Sequence, residues 1–161
     1  YDESIDAKYV YSGSKKLTDP SVIEGLTVGK LVLSPTRTYA PIAKLMLEKY
    51  RKHIDGMVHC SGGAQTKVLH FINDDIHVVK DNLFPIPPLF ELIQQESGTD
   101  WHEMYKVFNM GHRLEIYTSE EVAPEIIALS KSFDVDARII GRCEKGTKGV
   151  TIRSPYGEFI Y

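Results

Sequence analysis

No block of basic residues stands out in this chain. Its 19 Lys and Arg are interspersed with 22 Asp and Glu along 161 residues, for a formal net charge of -3. That pattern lacks the footprint of a phosphate-backbone binder, so nucleic acid is not an expected partner. Long apolar runs are missing too. Stretches such as 31–33 fall far short of a membrane span, and no charged-then-apolar leader opens the sequence. The chain therefore reads as cytoplasmic, with no membrane partner. Cysteine is scarce, and Cys60 and Cys143 are expected to be reduced, small core residues of a cytosolic protein. The six histidines, at 53, 59, 70, 77, 102 and 112, come without a Cys pair or a His-Glu-x-x-His helix, so no metal site is expected of this chain alone. Nucleophile elbow, Walker loop and dinucleotide fingerprint are all absent. The carboxylate pairs Asp74-Asp75 and Glu120-Glu121 fall in a turn and at a helix start, where local capping accounts for them.

What is present is the composition of an ordinary globular domain, 42% hydrophobic and 25% charged, of a length that suits one core. Residues 1–25 mix Asp, Lys, Ser and Gly around one possible short strand at 8–12, and read as a lead-in segment or linker. The domain proper is expected over 26–161. Apolar residues dominate 26–33 up to Ser34-Pro35, which predicts a first core strand. Helical spacing of Tyr39, Ile42, Ala43, Leu45, Met46 and Tyr50 predicts a helix over 38–53, with Pro41 tolerated in its first turn. A strand at 57–60, a Ser61-Gly62-Gly63 turn, a short helix at 65–72 and a strand at 76–80 follow.

Prolines 85, 87 and 88 mark a rigid connection into a helix at 89–95, and Asp100 with Glu103 fits a capping box opening another helix to about Val107. Strands are predicted at 114–118 and 137–143, with a helix capped by Ser119 running to Ser130 between them. The tail, 150–153 and 158–161 around Ser154-Pro155-Tyr156-Gly157, reads as a closing hairpin. Strands and helices interleave without strict alternation, which predicts an α+β fold: a mixed β-sheet with helices packed on it.

Three segments offer chemistry. In His59-Cys60-Ser61-Gly62-Gly63-Ala64, backbone free of side chains at a helix start can turn N–H groups toward an anion such as phosphate; a plain tight turn is the competing account. In Met104-Tyr105-Lys106-Val107-Phe108-Asn109-Met110-Gly111, the Asn109 amide suits a ligand or, more simply, a helix terminus closed by a left-handed glycine. In Pro35-Thr36-Arg37-Thr38-Tyr39, Arg37 can reach an anionic group bidentately, or Thr36 and Thr38 simply cap the helix while Arg37 stays solvated.

In this order, Leu33-x-Pro35-Thr36-Arg37-x-Tyr39, His59-x-Ser61-Gly62-Gly63 and Glu103-Met104-Tyr105-x-x-Phe108-Asn109-x-Gly111 resemble the signature blocks of the C-terminal domain of AIR synthase, phosphoribosylformylglycinamidine cyclo-ligase. Ile139-Ile140-Gly141 is similar to the family's closing strand, so the resemblance runs over about 31–141. It departs at Ala64, where a third glycine is usual, and at Arg113, where a second glycine is usual and an arginine would crowd the loop or add charge to it. The resemblance implies ATP-dependent ring closure of formylglycinamidine ribonucleotide to aminoimidazole ribonucleotide in purine biosynthesis. It implies an N-terminal ATP-binding domain of the same chain, which would bind ATP and Mg²⁺ and supply most of the catalytic residues. A homodimer at full length and an inactive fragment are further implications. Ser61, Gly62, Gly63, Asn109 and Gly111, with Thr36 and Arg37 as secondary contacts, would meet the ribonucleotide or a phosphate. The alternative is a non-catalytic or divergent binding module of the same superfamily, related to selenophosphate synthase or formylglycinamidine ribonucleotide synthase.

Overall fold

A computed structural model describes residues 3–6, 13–35 and 37–161. The strand expected at 8–12 and the side chain of Thr36 lie outside those residues. The segment 26–33 is not a strand: Val28–Val32 forms a short helix, α1. Thr27 caps it by accepting from the Lys30 N–H at 3.3 Å, and Gly29 approaches so closely that a Cβ there would lie 2.9 Å from the Leu17 carbonyl. Val28 and Leu31 are buried while Val32 and Leu33 are exposed, an i, i+3 pattern that a short apolar run cannot distinguish from a strand before packing is known.

Helix α2 (Ala40–Tyr50) carries Pro41 in its first turn, buries Ile42 and Met46 one turn apart, and tightens into a 3₁₀ turn at Arg51–His53. Strand β1 (Ile54–His59) pairs antiparallel with β3 (Leu114–Thr118), from Ile54 opposite Thr118 to His59 opposite Leu114. Helix α5 (Ala123–Lys131) packs on α2, and Ile42, Met46, Ile54 and Ile126 form one core cluster. Ser119 does not cap α5 through its side chain. Its carbonyl accepts from Val122 and Ala123, and the helix begins only where Pro124 can occupy the first turn.

The second sheet has four strands in the order β4-β2-β5-β6. Its central strands, β2 (Ile76–Lys80) and β5 (Gly149–Ser154), run parallel; β4 (Gly141–Lys145) and β6 (Gly157–Ile160) flank them antiparallel. The β5–β6 hairpin turns at Pro155-Tyr156, and Tyr156 stacks on Trp101 with ring centroids 3.7 Å apart. Helix α3 (Pro88–Ser97) ends at Gly98 with φ +67, and α4 (Trp101–Val107) is capped by Asp100, whose carboxylate accepts from Glu103 N–H at 3.0 Å. Val68, Val78, Met104, Tyr105, Met110, Val150 and Ile152 form the second core cluster, under the four-stranded sheet. The fold is thus α+β, with helices packed on a mixed sheet.

Strand β4 starts at Gly141, not at Ala137. A Cβ on Gly141 would sit 1.9 Å from the Val79 carbonyl, so the strand can enter the sheet only where the side chain is missing. Cys143 lies exposed on this edge strand, contrary to the expectation of a core cysteine, because the side chains of Arg142, Cys143, Glu144 and Lys145 are all left exposed on β4. Among the described residues, no helix is long and apolar enough to cross a membrane.

Candidate functional site

The three sequence blocks meet. The Cys60 N–H donates to the Arg113 carbonyl at 2.9 Å, where β1 ends and β3 begins, so the turn after β1 and the loop before β3 lie side by side at the edge of the sheet. Tyr39 sets its ring edge-on to His59, with centroids 6.2 Å apart, and the Arg113 guanidinium donates to the Pro35 carbonyl at 3.5 Å. The arginine therefore leans toward Pro35 rather than filling the loop it belongs to. Arg37 donates to the Asp134 carbonyl at 3.2 Å, just beyond the end of α5.

In the glycine turn, Gly63 has φ +86 and Ala64 has φ +43, so two consecutive residues are left-handed. Ala64 occupies a conformation that glycine takes without cost, at an expense of about 1 kcal/mol for an alanine. Ala64 N–H closes the turn on the Ser61 carbonyl at 2.9 Å, and Lys67 Nζ donates to Ser61 Oγ at 2.8 Å. The N–H groups of Gly62 and Gly63 have no acceptor among the described residues. An exposed turn with free backbone donors and an ammonium beside it is suited to an oxyanion. The helix it opens, Ala64–His70, is 3₁₀ rather than α.

The loop between α4 and β3 also runs left-handed, at Met110 (φ +51) and Gly111 (φ +94). Asn109 Oδ1 accepts from the Gly111 N–H at 2.9 Å, an Asx turn, which leaves its Nδ2 donors free among the described residues. Gly111 packs on Pro87: a Cβ there would lie 3.1 Å from two ring carbons.

Beneath both turns is a buried polar network that the sequence did not reveal. Lys80, 1% exposed at the end of β2, donates to the Gln65 carbonyl at 2.7 Å, to Gln65 Oε1 at 3.0 Å and to Glu115 Oε1 at 2.5 Å. Glu115 Oε2 accepts from the Tyr117 hydroxyl at 2.7 Å, and Gln65 Nε2 donates to the Asn109 carbonyl at 2.7 Å. Burial, and then the Glu115 charge, push the Tyr117 phenol up, so it stays a donor. Burial first, with Glu115 second, pushes the Cys60 thiol up to about 12, which keeps it unreactive. His112 is driven down to about 3, by burial and then by the charges of Lys80 and Arg138. Its Nε2 accepts from the Phe84 N–H at 3.1 Å, which places the proton of the neutral ring on Nδ1. The available signal was a lysine closing an apolar strand and a glutamate within Leu114-Glu115-Ile116, one charge in each of two otherwise core-facing segments.

Lys80, Glu115, Tyr117 and His112 also line a cleft of about 900 Å³ between the two sheets, with Val79 and Ile116 as apolar walls. Among the described residues, no group of three or more His, Cys, Asp or Glu is placed to hold a metal ion.

The fold and the meeting of these blocks define a class of domain. Residues 10–153 match the family described as AIR synthase related protein, C-terminal domain, and the chain belongs to that family. Among curated relatives, it is similar to the phosphoribosylformylglycinamidine cyclo-ligases of Methanopyrus kandleri (34% identical, covering 80% of this chain and 36% of that protein) and Methanococcus vannielii (33%, 88% and 40%). That of Syntrophus aciditrophicus is 33% identical, over 88% of this chain and 41% of that protein. The chain thus spans about two-fifths of the length of these relatives. Among solved structures, HypE of E. coli, a hydrogenase maturation protein, shares the fold with a TM-score of 0.55 at 20% identity, covering 75% of this chain and 38% of that one.

Proposed function

We propose that this chain is the C-terminal domain of a phosphoribosylformylglycinamidine cyclo-ligase of purine biosynthesis. In that reaction ATP phosphorylates the formyl oxygen of formylglycinamidine ribonucleotide, an internal nitrogen closes the imidazole ring, and ADP and phosphate leave. The observation that carries this reading is the convergence of three blocks distant in sequence, through Tyr39 on His59, Arg113 on Pro35 and Cys60 on Arg113. Gly62 and Gly63 would take a phosphate through their free N–H groups with Lys67 and Ser61 beside them. Asn109 would donate from Nδ2, with Gly111 shaping the opposite wall. Thr36 and Arg37 would be secondary contacts from the neighbouring turn. The contribution of such a wall is positioning and charge stabilisation.

ATP and Mg²⁺ would be bound mainly by an N-terminal companion domain. The donor set here does not suit the metal, because Asp81 is engaged by Arg142 at 2.6 Å and Glu115 by Lys80 and Tyr117. No chemical step is assigned to a metal on this chain. Residues 1–25 would lead in from the companion domain, 26–161 would form the unit described above, and the full-length protein would be a homodimer. Exposed Leu17, Val22 and Leu33, at 67%, 76% and 80%, support a covering neighbour. The two departures from the family pattern do not favour a degenerate module, since Ala64 keeps the left-handed backbone and Arg113 is drawn off to Pro35.

The test is aminoimidazole ribonucleotide formation from formylglycinamidine ribonucleotide and ATP, by the full-length protein and by this chain alone. Turnover by the first and none by the second is expected. Silence of the full-length protein would move the assignment to a binding module.

A further inference from the structure

Lys80 is bound to three acceptors with all three of its N–H bonds, and two of those acceptors belong to Gln65. The ammonium fixes the orientation of the Gln65 amide. With Oε1 facing the charge, Nε2 must face the other way, where it meets the Asn109 carbonyl at 2.7 Å. Gln65 is fully buried and directly follows Ala64, so one side chain joins the glycine turn to the Asn109 loop. Asn109 in turn holds the Gly111 N–H on Oδ1, which aims Nδ2 away from the backbone. Glu115 balances the Lys80 charge from β3, and Tyr117 occupies the remaining Glu115 oxygen. Gln65, Lys80 and Glu115 are all buried, so the exposed groups that this chain of contacts positions are the two turns at its ends.

We infer that Gln65 and Lys80 are positioning residues: Lys80 locks the Gln65 amide, and Gln65 sets the separation and orientation of the two substrate-facing turns. This rests on the cyclo-ligase reading, and it deepens that reading by assigning ribonucleotide recognition to the relative placement of the turns. An amide is needed at 65 because it must accept from an ammonium and donate to a carbonyl at once. A carboxylate accepts but does not donate, and a thioether does neither usefully.

The experiment is made in the full-length chain with Gln65→Met and Gln65→Glu, measuring KM for formylglycinamidine ribonucleotide and for ATP separately, with kcat and thermal midpoint. Both variants are expected to raise the ribonucleotide KM about tenfold, the usual scale of a buried hydrogen bond lost, and to leave the ATP KM within about twofold. Lys80→Arg, which keeps the charge but not the geometry, should give a smaller change of the same kind. Should Gln65→Met fail to fold, Gln65→Glu still accepts from Lys80 and carries the test alone. A folded variant with an unchanged ribonucleotide KM would overturn the inference and leave the cyclo-ligase reading standing. Equal changes in both KM values would reduce Gln65 to a structural residue, which also overturns it. A wild-type protein without turnover would end both.

Discussion

His112 is a buried base that the fold keeps neutral. With a folded value of about 3 and an ordinary unfolded value near 6.5, the unfolded chain takes up a proton that the native protein refuses. Its contribution to stability is therefore complete above about pH 6.5 and is lost as the pH falls toward 3, at up to about 1.4 kcal/mol per pH unit. Urea unfolding at pH 7 and pH 5 should show His112→Gln losing roughly 2 kcal/mol less than wild type over that interval, since glutamine can still accept from Phe84 and cannot charge. Equal losses would place the acid sensitivity elsewhere. The two thiols offer a second contrast at this scale. Cys60 is buried with a raised pKa, whereas Cys143 is exposed on β4. Brief treatment with a maleimide should label Cys143 alone in the native protein and both in urea, as read by intact mass.

At the scale of elements, the strands at 76–80 and 114–118 and the final hairpin were legible because their apolar residues and turn signals agree with the sheet that receives them. Helices α2, α3 and α4 were legible from spacing, prolines and the Asp100 cap. The segment 26–33 was not, since five helical residues are too short for periodicity to separate helix from strand, and the tertiary contact of Gly29 with Leu17 decides between them. Strand β4 was misplaced because its start depends on a close approach to Val79 that no property of 137–143 announces. Gly141→Ala should therefore lower stability by more than about 3 kcal/mol, the range of severe steric changes, although the substitution is mild in composition. Equilibrium denaturation of the chain checks this, and a loss under 1 kcal/mol would mean that β4 can shift aside.

For the whole molecule, the Lys80–Glu115 pair joins two sheets that share no strand, the four-stranded sheet through β2 and the β1–β3 pair through β3. The cleft that this ion pair lines also takes in Ile42, Met46 and Ile126 of one core cluster and Val78 of the other. Lys80→Met should cost about 3–5 kcal/mol by leaving Glu115 buried and unpaired, and Lys80→Met with Glu115→Leu should recover much of that loss. Additive losses in the double variant, measured by denaturant titration, would show that the two residues act independently.

The sequence by itself determined the α+β class, the family, and the turns at Gly63 and Gly111, because glycines, prolines, caps and apolar periodicity act over a few residues. Only the tertiary structure decided that the blocks around Tyr39, His59 and Arg113 adjoin, that Arg113 turns to Pro35, and that Lys80 is buried with Gln65 and Glu115. Those facts depend on partners 15 to 78 residues away in the chain, and a side chain's chemistry carries no record of the distant group that will satisfy it.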